Sequence, residues 1–93
     1  MILEIVSPEA KLFSGEVTSV SVPGVNGEFQ MLNNHAPIVS LLKQGNIKIV
    51  GSNIKIAKEF LEKFNKVNNE TFLLPIQSGT LEMNDNKIII LAD

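Results

Sequence analysis

Hydrophobic and polar residues alternate along most of this chain in runs too short for helices. Ile2 to Val6, Ile47-Lys48-Ile49-Val50, Thr71-Phe72-Leu73-Leu74 and Lys87-Ile88-Ile89-Ile90-Leu91 are β-branched or aromatic segments bounded by Gly, Pro, Asn or Ser, the signature of short strands. Val17-Thr18-Ser19-Val20-Ser21-Val22 ends at Pro23-Gly24 and keeps period two from Val20 to Val22, slipping by one after Val17. Such a slip predicts a β-bulge. The punctuation is dense, at Ser7-Pro8, Ser14-Gly15, Asn26-Gly27, Gly45-Asn46, Gly51-Ser52-Asn53, Ser78-Gly79 and Asn84-Asp85-Asn86. Many short strands with this spacing predict a small antiparallel sandwich or barrel.

Two hairpins can be argued locally. Leu81-Glu82-Met83 and Lys87-Ile88-Ile89 flank Asn84-Asp85-Asn86, whose Asx residues tolerate the left-handed conformation. The segment Lys43 to Asn46 separates Ile38-Val39-Ser40-Leu41-Leu42 from the Ile47 strand, and Gly45 is suited to the left-handed position of a second hairpin. One stretch departs from the β pattern: Ala57, Phe60, Leu61, Phe64 and Val67 follow helical spacing and predict a short helix over 57–67. The alternative for this stretch is two edge strands, Ile54 to Lys58 and Lys66 to Phe72, joined by a loop.

Composition narrows the function classes. The 93 residues are 44% hydrophobic and 19% charged, which suits one small domain. A core of this size leaves stability marginal, so a partner that covers part of the surface is expected. Eight basic residues, all lysine, against ten acids give a net charge of −2, the wrong sign for gripping nucleic acid. Five Phe with no Trp or Tyr leave little for base stacking. The chain has no cysteine, so disulfides and thiolate metal sites are excluded. The N-terminal residues lack a basic region and reach Pro8 before an apolar run of signal-peptide length, and no run approaches the roughly 20 residues of a membrane span. The expectation is a soluble chain that is not exported and does not insert into a membrane.

Catalytic chemistry finds little support. His35, the single histidine, stands in Asn33-Asn34-His35-Ala36-Pro37 with no carboxylate beside it to orient the ring and no second histidine to share a metal. Its expected role is to bond loop backbone and fix the turn before Pro37. Pro23-Gly24-Val25-Asn26-Gly27-Glu28 has glycines but no P-loop lysine, no helical pattern after it, and an acid that repels phosphate. It reads as a tight connection between strands. Glu59, Glu62 and Glu70 are spread along a solvated segment and make no carboxylate pair.

Several landmarks occur in one order. Ser7-Pro8-Glu9 is followed by Leu12-Phe13-Ser14-Gly15-Glu16-Val17, then Val22-Pro23-Gly24, Asn26-Gly27-Glu28, Leu32 and Asn34-His35-Ala36-Pro37. Lys43, Gly45 and the Ile47 strand come next, and Ser78 to Lys87 leads into Ile90-Leu91-Ala92-Asp93. This series resembles the epsilon subunits of bacterial F-type ATP synthases over nearly the whole chain. The resemblance implies an all-β fold, a flattened two-sheet β-sandwich of about ten short strands. It also implies a non-catalytic rotor part without cofactor or metal, bound to the gamma subunit and the c-ring at the cytoplasmic face of a bacterial membrane. By match to the signature, Gly24, Val25, Asn26, Gly27 and Glu28, with the adjoining Asn34, His35 and Ala36, are the candidates for the ring-facing end. Family members continue into two C-terminal helices that can restrain hydrolysis and in some bind ATP. This chain stops at Asp93, so neither that helical domain nor ATP binding is expected. Gln30 stands where glycine is common, Asn33 where proline is common and Ser78 where glycine is usual, and Gly51 to Glu70 reads as an insertion between neighbouring strands. A stand-alone β-sandwich that binds another protein is the alternative from the fold signals alone, and a small enzyme built on His35 is a third.

Overall fold

A computed structural model describes residues 1–93. Ten strands form in chain order: β1 (Ile2–Val6), β2 (Lys11–Glu16), β3 (Ser19–Gly24), β4 (Gly27–Leu32), β5 (Ile38–Leu42), β6 (Gly45–Val50), β7 (Asn65–Asn68), β8 (Thr71–Ile76), β9 (Gly79–Asn84) and β10 (Lys87–Ala92). They make two layers of five, β2-β1-β10-β9-β5 and β4-β3-β6-β8-β7, joined through β3 and β5. The join is a single pair, Gly24 opposite Leu42, where Lys43 N–H donates to Pro23 O at 2.8 Å and Val25 N–H to Leu41 O at 3.1 Å. The expected two-sheet sandwich is therefore one sheet folded over at a corner.

Period two explains the core. Leu3 and Ile5 of β1, Val20 and Val22 of β3, Ile47 and Ile49 of β6, Leu81 and Met83 of β9, and Ile88 and Ile90 of β10 all point inward and are almost wholly buried. Together with the other buried apolar side chains they form one cluster of 21 residues between the layers. Each fully buried side chain of this kind contributes about 1.5–3 kcal/mol relative to exposure. All neighbouring pairs are antiparallel except β1 with β10, which run parallel, so the first and last strands lie side by side at the centre of their layer.

The β9–β10 hairpin forms as its turn predicts, with Asn84 opposite Lys87 and positive φ at Asp85 (50°) and Asn86 (63°). Two adjacent left-handed residues are the mark of a type I′ turn, whose twist matches the flanking strands. The slip after Val17 falls in the link between β2 and β3: Ser19 opens β3 opposite Val50, and Thr18 just before it donates to Val50 O through its N–H at 2.7 Å and its hydroxyl at 2.9 Å.

The second expected hairpin does not form. β5 pairs with β9, from Ile38 opposite Met83 to Leu42 opposite Gly79, while β6 pairs with β3 and β8. Lys43-Gln44 thus carries the chain from one layer to the other. Gly45 is needed for space and not for a left-handed turn: a Cβ there would sit 2.7 Å from Pro23 Cβ.

The stretch after β6 answers partly to each expectation. A six-residue 3₁₀ helix spans Lys58–Lys63, with Phe60 N–H donating to Ala57 O at 2.9 Å and Phe64 N–H to Leu61 O at 3.2 Å. The helix stops short of 67 because Phe64 turns into the core at 7% exposure and the open edge of β8 takes Asn65–Asn68 as β7. Leu61 and Val67, assigned to the apolar face by periodicity, are left exposed. Of the two alternative edge strands, Ile54 to Lys58 is not a strand, and Lys66 to Phe72 is divided by a turn in which Glu70 N–H donates to Asn68 Oδ1 at 2.8 Å. Ile54, Ile56 and Phe60 pack against the core, so the whole segment straps one open side of the sandwich.

Gly79 tests how tightly the joined layers are set. A Cβ there would lie 2.5 Å from Leu91 O, a backbone atom held in the β9–β10 ladder that cannot move aside. Gly79→Ala is expected to lower stability by about 1–3 kcal/mol, read as a reduced urea midpoint with unchanged slope.

Candidate docking surface

The sequence-nominated residues fall into two groups at opposite ends of β4. Gly24 to Glu28 form the turn between β3 and β4, in which Val25, Asn26 and Gly27 are exposed and Gly27 has φ of 122°. Asn34, His35 and Ala36 lie in the β4–β5 loop at the other end. With six residues in β4, the separation is roughly 17 Å at ~3.3 Å per residue. The expectation that both groups share one end is corrected by this topology: two segments joined by a full strand cannot meet.

The second group is fixed by local bonds. Asn34 takes φ of 64° and its N–H donates to Asn86 Oδ1 at 2.8 Å. Next to it, Asn33 Oδ1 accepts from the Met1 amino group at 2.8 Å. His35 N–H donates to Leu32 O at 3.1 Å, and its Nδ1 lies 2.7 Å from Ala36 O. A carbonyl oxygen only accepts, so Nδ1 carries the proton. The ring holds the backbone just before Pro37, as the sequence suggests.

A more extended surface shares only Val25 with the nominated residues. In β5 the side chains of Val39 and Leu41 point outward and are 77% and 61% exposed, and Leu91 on β10 is 53% exposed. Register aligns them across the layer: Leu41 opposite Thr80, Thr80 opposite Leu91, Leu91 opposite Val6. The backbone bond from Val25 to Leu41 extends the row to Val25, 49% exposed, at the β3–β4 turn. Val25, Leu41, Thr80, Leu91 and Val6 line an open groove of about 640 Å³. The outer face of the other layer carries Gln30, Ser21, Lys48, Leu73 and Asn65 in one row, with exposed Glu28 to one side of Gln30 and exposed Leu32 to the other. The longer run of exposed apolar side chains is on the first face, which makes that face the stronger candidate for a contact surface. The sequence did carry a signal for it. Ile38-Val39 and Leu41-Leu42, parted only by Ser40, and Ile88 to Leu91 are apolar at successive positions instead of alternate ones, which is how a strand reads when both of its faces are covered.

Beside this row lies a small charged cluster. Glu4 on β1 accepts from Lys11 on β2 at 2.7 Å and pairs with Lys87 on β10 at 3.2 Å. The hydrogen bonds from Lys11 and then Lys87 hold the Glu4 carboxyl below its ordinary value near 4.5. No helix is long and apolar enough to cross a membrane.

What these features define is a small β-sandwich with a row of exposed apolar side chains along one face. The chain belongs to the ATP synthase delta/epsilon chain β-sandwich domain family, whose model matches residues 1–93. It is 40% identical over 91 residues to the ATP synthase epsilon chain of Campylobacter curvus, covering 98% of this chain and 59% of that one. To the ATP synthase epsilon chain of Chlorobaculum tepidum it is 35% identical over 91 residues, covering 86% of that protein. The fold is also that of a chain in the central stalk/c-ring of the Tetrahymena thermophila mitochondrial ATP synthase, with a TM-score of 0.71 at 15% identity, covering 99% of this chain and 62% of the other. A chain of the Euglena gracilis mitochondrial ATP synthase gives a TM-score of 0.74 at 17% identity, covering 99% and 49%.

The Glu4 cluster yields a pH prediction. A carboxylate with a lowered folded pKa stabilises the fold above its unfolded value and loses that contribution as pH falls through the folded one. Glu4→Gln should therefore flatten the acid limb of the stability curve below about pH 4.5 and leave its slope near neutral pH unchanged, as thermal melts across that range would show.

Proposed function

We propose that this chain is a non-catalytic rotor subunit of an F-type ATP synthase, binding the gamma subunit and the c-ring so that the three turn together as protons or sodium ions cross the membrane. It works on the cytoplasmic face of a bacterial membrane, held there by its partners. The observation that carries this reading is the aligned row Val25, Leu41 and Leu91 on the outer face of one layer. Family membership supports it, as do relatives named ATP synthase epsilon chain.

The physical task is to transmit torque without slipping, which calls for buried area on a stiff body. The molecule measures 31 × 26 × 21 Å, so one broad face offers about the ~800 Å² that each partner gives to an ordinary stable interface. In this reading the apolar face of β5, β9 and β10 lies on gamma. The Gly24 to Glu28 turn, with Glu28 exposed at its foot, reaches the polar loops of the ring. Asn34, His35 and Ala36 lie outside that contact, at the far end of β4.

Leu41→Asp places a charge at the centre of the proposed gamma interface without disturbing the core, since Leu41 is exposed in the free chain. It should weaken assembly with gamma roughly 30-fold or more, the range of an interface hot spot, while Lys48→Asp on the opposite layer stays near wild type. Affinity measured with purified gamma and c-ring decides, and equal binding by Leu41→Asp and wild type would remove the apolar face from the contact. Glu28→Lys should weaken docking to the ring, with a larger effect at low salt than at high salt, as a salt titration of the same binding would reveal.

A further inference from the structure

The folded sheet has edge strands β2, β7 and β4, and β5 is open on the side away from β9 except at the corner, where Leu42 meets Gly24 and Leu41 O is already taken by Val25 N–H. An edge left open is a template for another strand. The corner interrupts the open side of β5, and β7 and β2 are blunted. β7 has only four residues, carries Lys66 and breaks register between Lys66 and Asn68. β2 begins with Lys11 and ends with Glu16, and its pairing with β1 shifts at Ile5 and Val6. β4 has none of these defences. It runs six residues in unbroken register with β3, from Gly24 opposite Gly27 to Ser19 opposite Leu32, with no proline, no lysine and a single charge at its tip.

Backbone direction can be read from the corner. Pro23 and Val25 turn their bonding groups toward β5, so Gly24 turns its own toward β4, and by alternation so do Val22 and Val20. On β4 it follows that Gly27, Phe29 and Met31 bond β3. Glu28, Gln30 and Leu32 direct their N–H and C=O outward, and of these groups only Leu32 O is used, by His35 N–H at 3.1 Å. On the inward face of β4, Met31 is fully buried but Phe29 is only partly covered.

We infer that β4 receives an added strand from the partner that covers the apolar face, so that partner and sandwich share one continuous sheet. This rests on the reading that the chain binds gamma. Continuity identifies the source: the apolar row ends at Val25, in the turn that leads directly into β4, so a partner filling the groove arrives at the open edge. The chemistry of the strand is set by what it meets. Residues facing inward beside Phe29 are apolar and complete its burial, and one facing outward opposite Glu28 is basic, since opposite charges pair favourably across strands.

The test reads backbone and side chain separately, with purified gamma and c-ring as the probe. In the free chain the amides of Glu28 and Gln30 should exchange with solvent rapidly and those of Phe29 and Met31 slowly. In the complex all four should be slow. Gln30→Pro removes an outward N–H without touching the β3 ladder and should weaken binding roughly tenfold, whereas Gln30→Ala, which keeps that N–H, should bind like wild type. Glu28 and Gln30 amides that stay fast in a formed complex would overturn the strand addition, and so would equal losses from Gln30→Ala and Gln30→Pro. If Gln30→Pro fails to fold, seen as fast exchange at Phe29 and Met31, amide exchange in the wild-type complex decides alone. A wild-type chain that forms no complex overturns the gamma reading itself, a different result from a complex whose β4 edge stays open.

Discussion

The structure turns on the corner where Gly24 meets Leu42. A sheet of ten strands can close over its own core only if some strand passes from one layer to the other, and side chains obstruct so sharp a passage. Here the obstruction is removed on all sides by glycines. A Cβ on Gly24 would meet Gly27 O at 2.8 Å, one on Gly45 would meet Pro23, and one on Gly79 would meet Leu91 O. Pro23 fits the same place, since it donates nothing and only its carbonyl is used, by Lys43 N–H. The corner also sets the functional surface. By bonding Val25 to Leu41 it extends the apolar row of one layer into the β3–β4 turn, and by occupying the other edge of β3 it leaves β4 projecting with one side unpaired.

A chain of 93 residues buries only about 60–65% of the surface its unfolded form exposes, and two features offset that limit. One is the strap from Gly51 to Phe64, which brings Ile54, Ile56, Phe60 and Phe64 over a side that β2 and β8 would otherwise leave open. The other belongs to the proposed assembly. Val39, Leu41 and Leu91 are as apolar as the core yet face water, and their burial against the proposed partner would shift the folding equilibrium by mass action, so that assembly and stability would be linked through the same residues.

Most of the β structure was legible because inward positions recur every second residue, and Ile47, Ile49, Leu81, Met83, Ile88 and Ile90 say which face is buried without any knowledge of topology. The β9–β10 turn was legible because Asp85 and Asn86 are residues that accept positive φ. The passage between layers was not. Lys43-Gln44-Gly45 has the composition of a hairpin turn, but composition cannot distinguish a turn within one layer from a passage between two, and the steric demand of Pro23 on Gly45 exists only after folding. The strap misled for a related reason. Phe60 and Phe64 satisfy helical spacing, but a single open edge on β8 claims the residues after Phe64, so backbone bonding in the sheet overrides a short helix of modest propensity. For the candidate surface, signature residues pointed to turns, whereas the exposed apolar row runs from Val25 into β5 and β10, whose largely hydrophobic segments look like ordinary buried strands until the structure shows one face uncovered.

The two surfaces supply different mechanical properties. Apolar contact is strong but non-directional, since its free energy follows the area removed from water and changes little when one surface slides a short way over another. A backbone ladder is the opposite. Each bond adds little net free energy, yet a slip of one residue reverses every side chain of the strand between the two faces, so sliding meets a steep barrier at every step. Under the proposed function, docking through the row from Val25 to Val6 alone would hold the chain to gamma but index it weakly. Under the proposed strand addition, the outward amides of Glu28 and Gln30 would fix the register while Leu41 and Leu91 would provide the adhesion. The division requires the two surfaces to meet at one place, which is the turn that the Gly24–Leu42 corner creates.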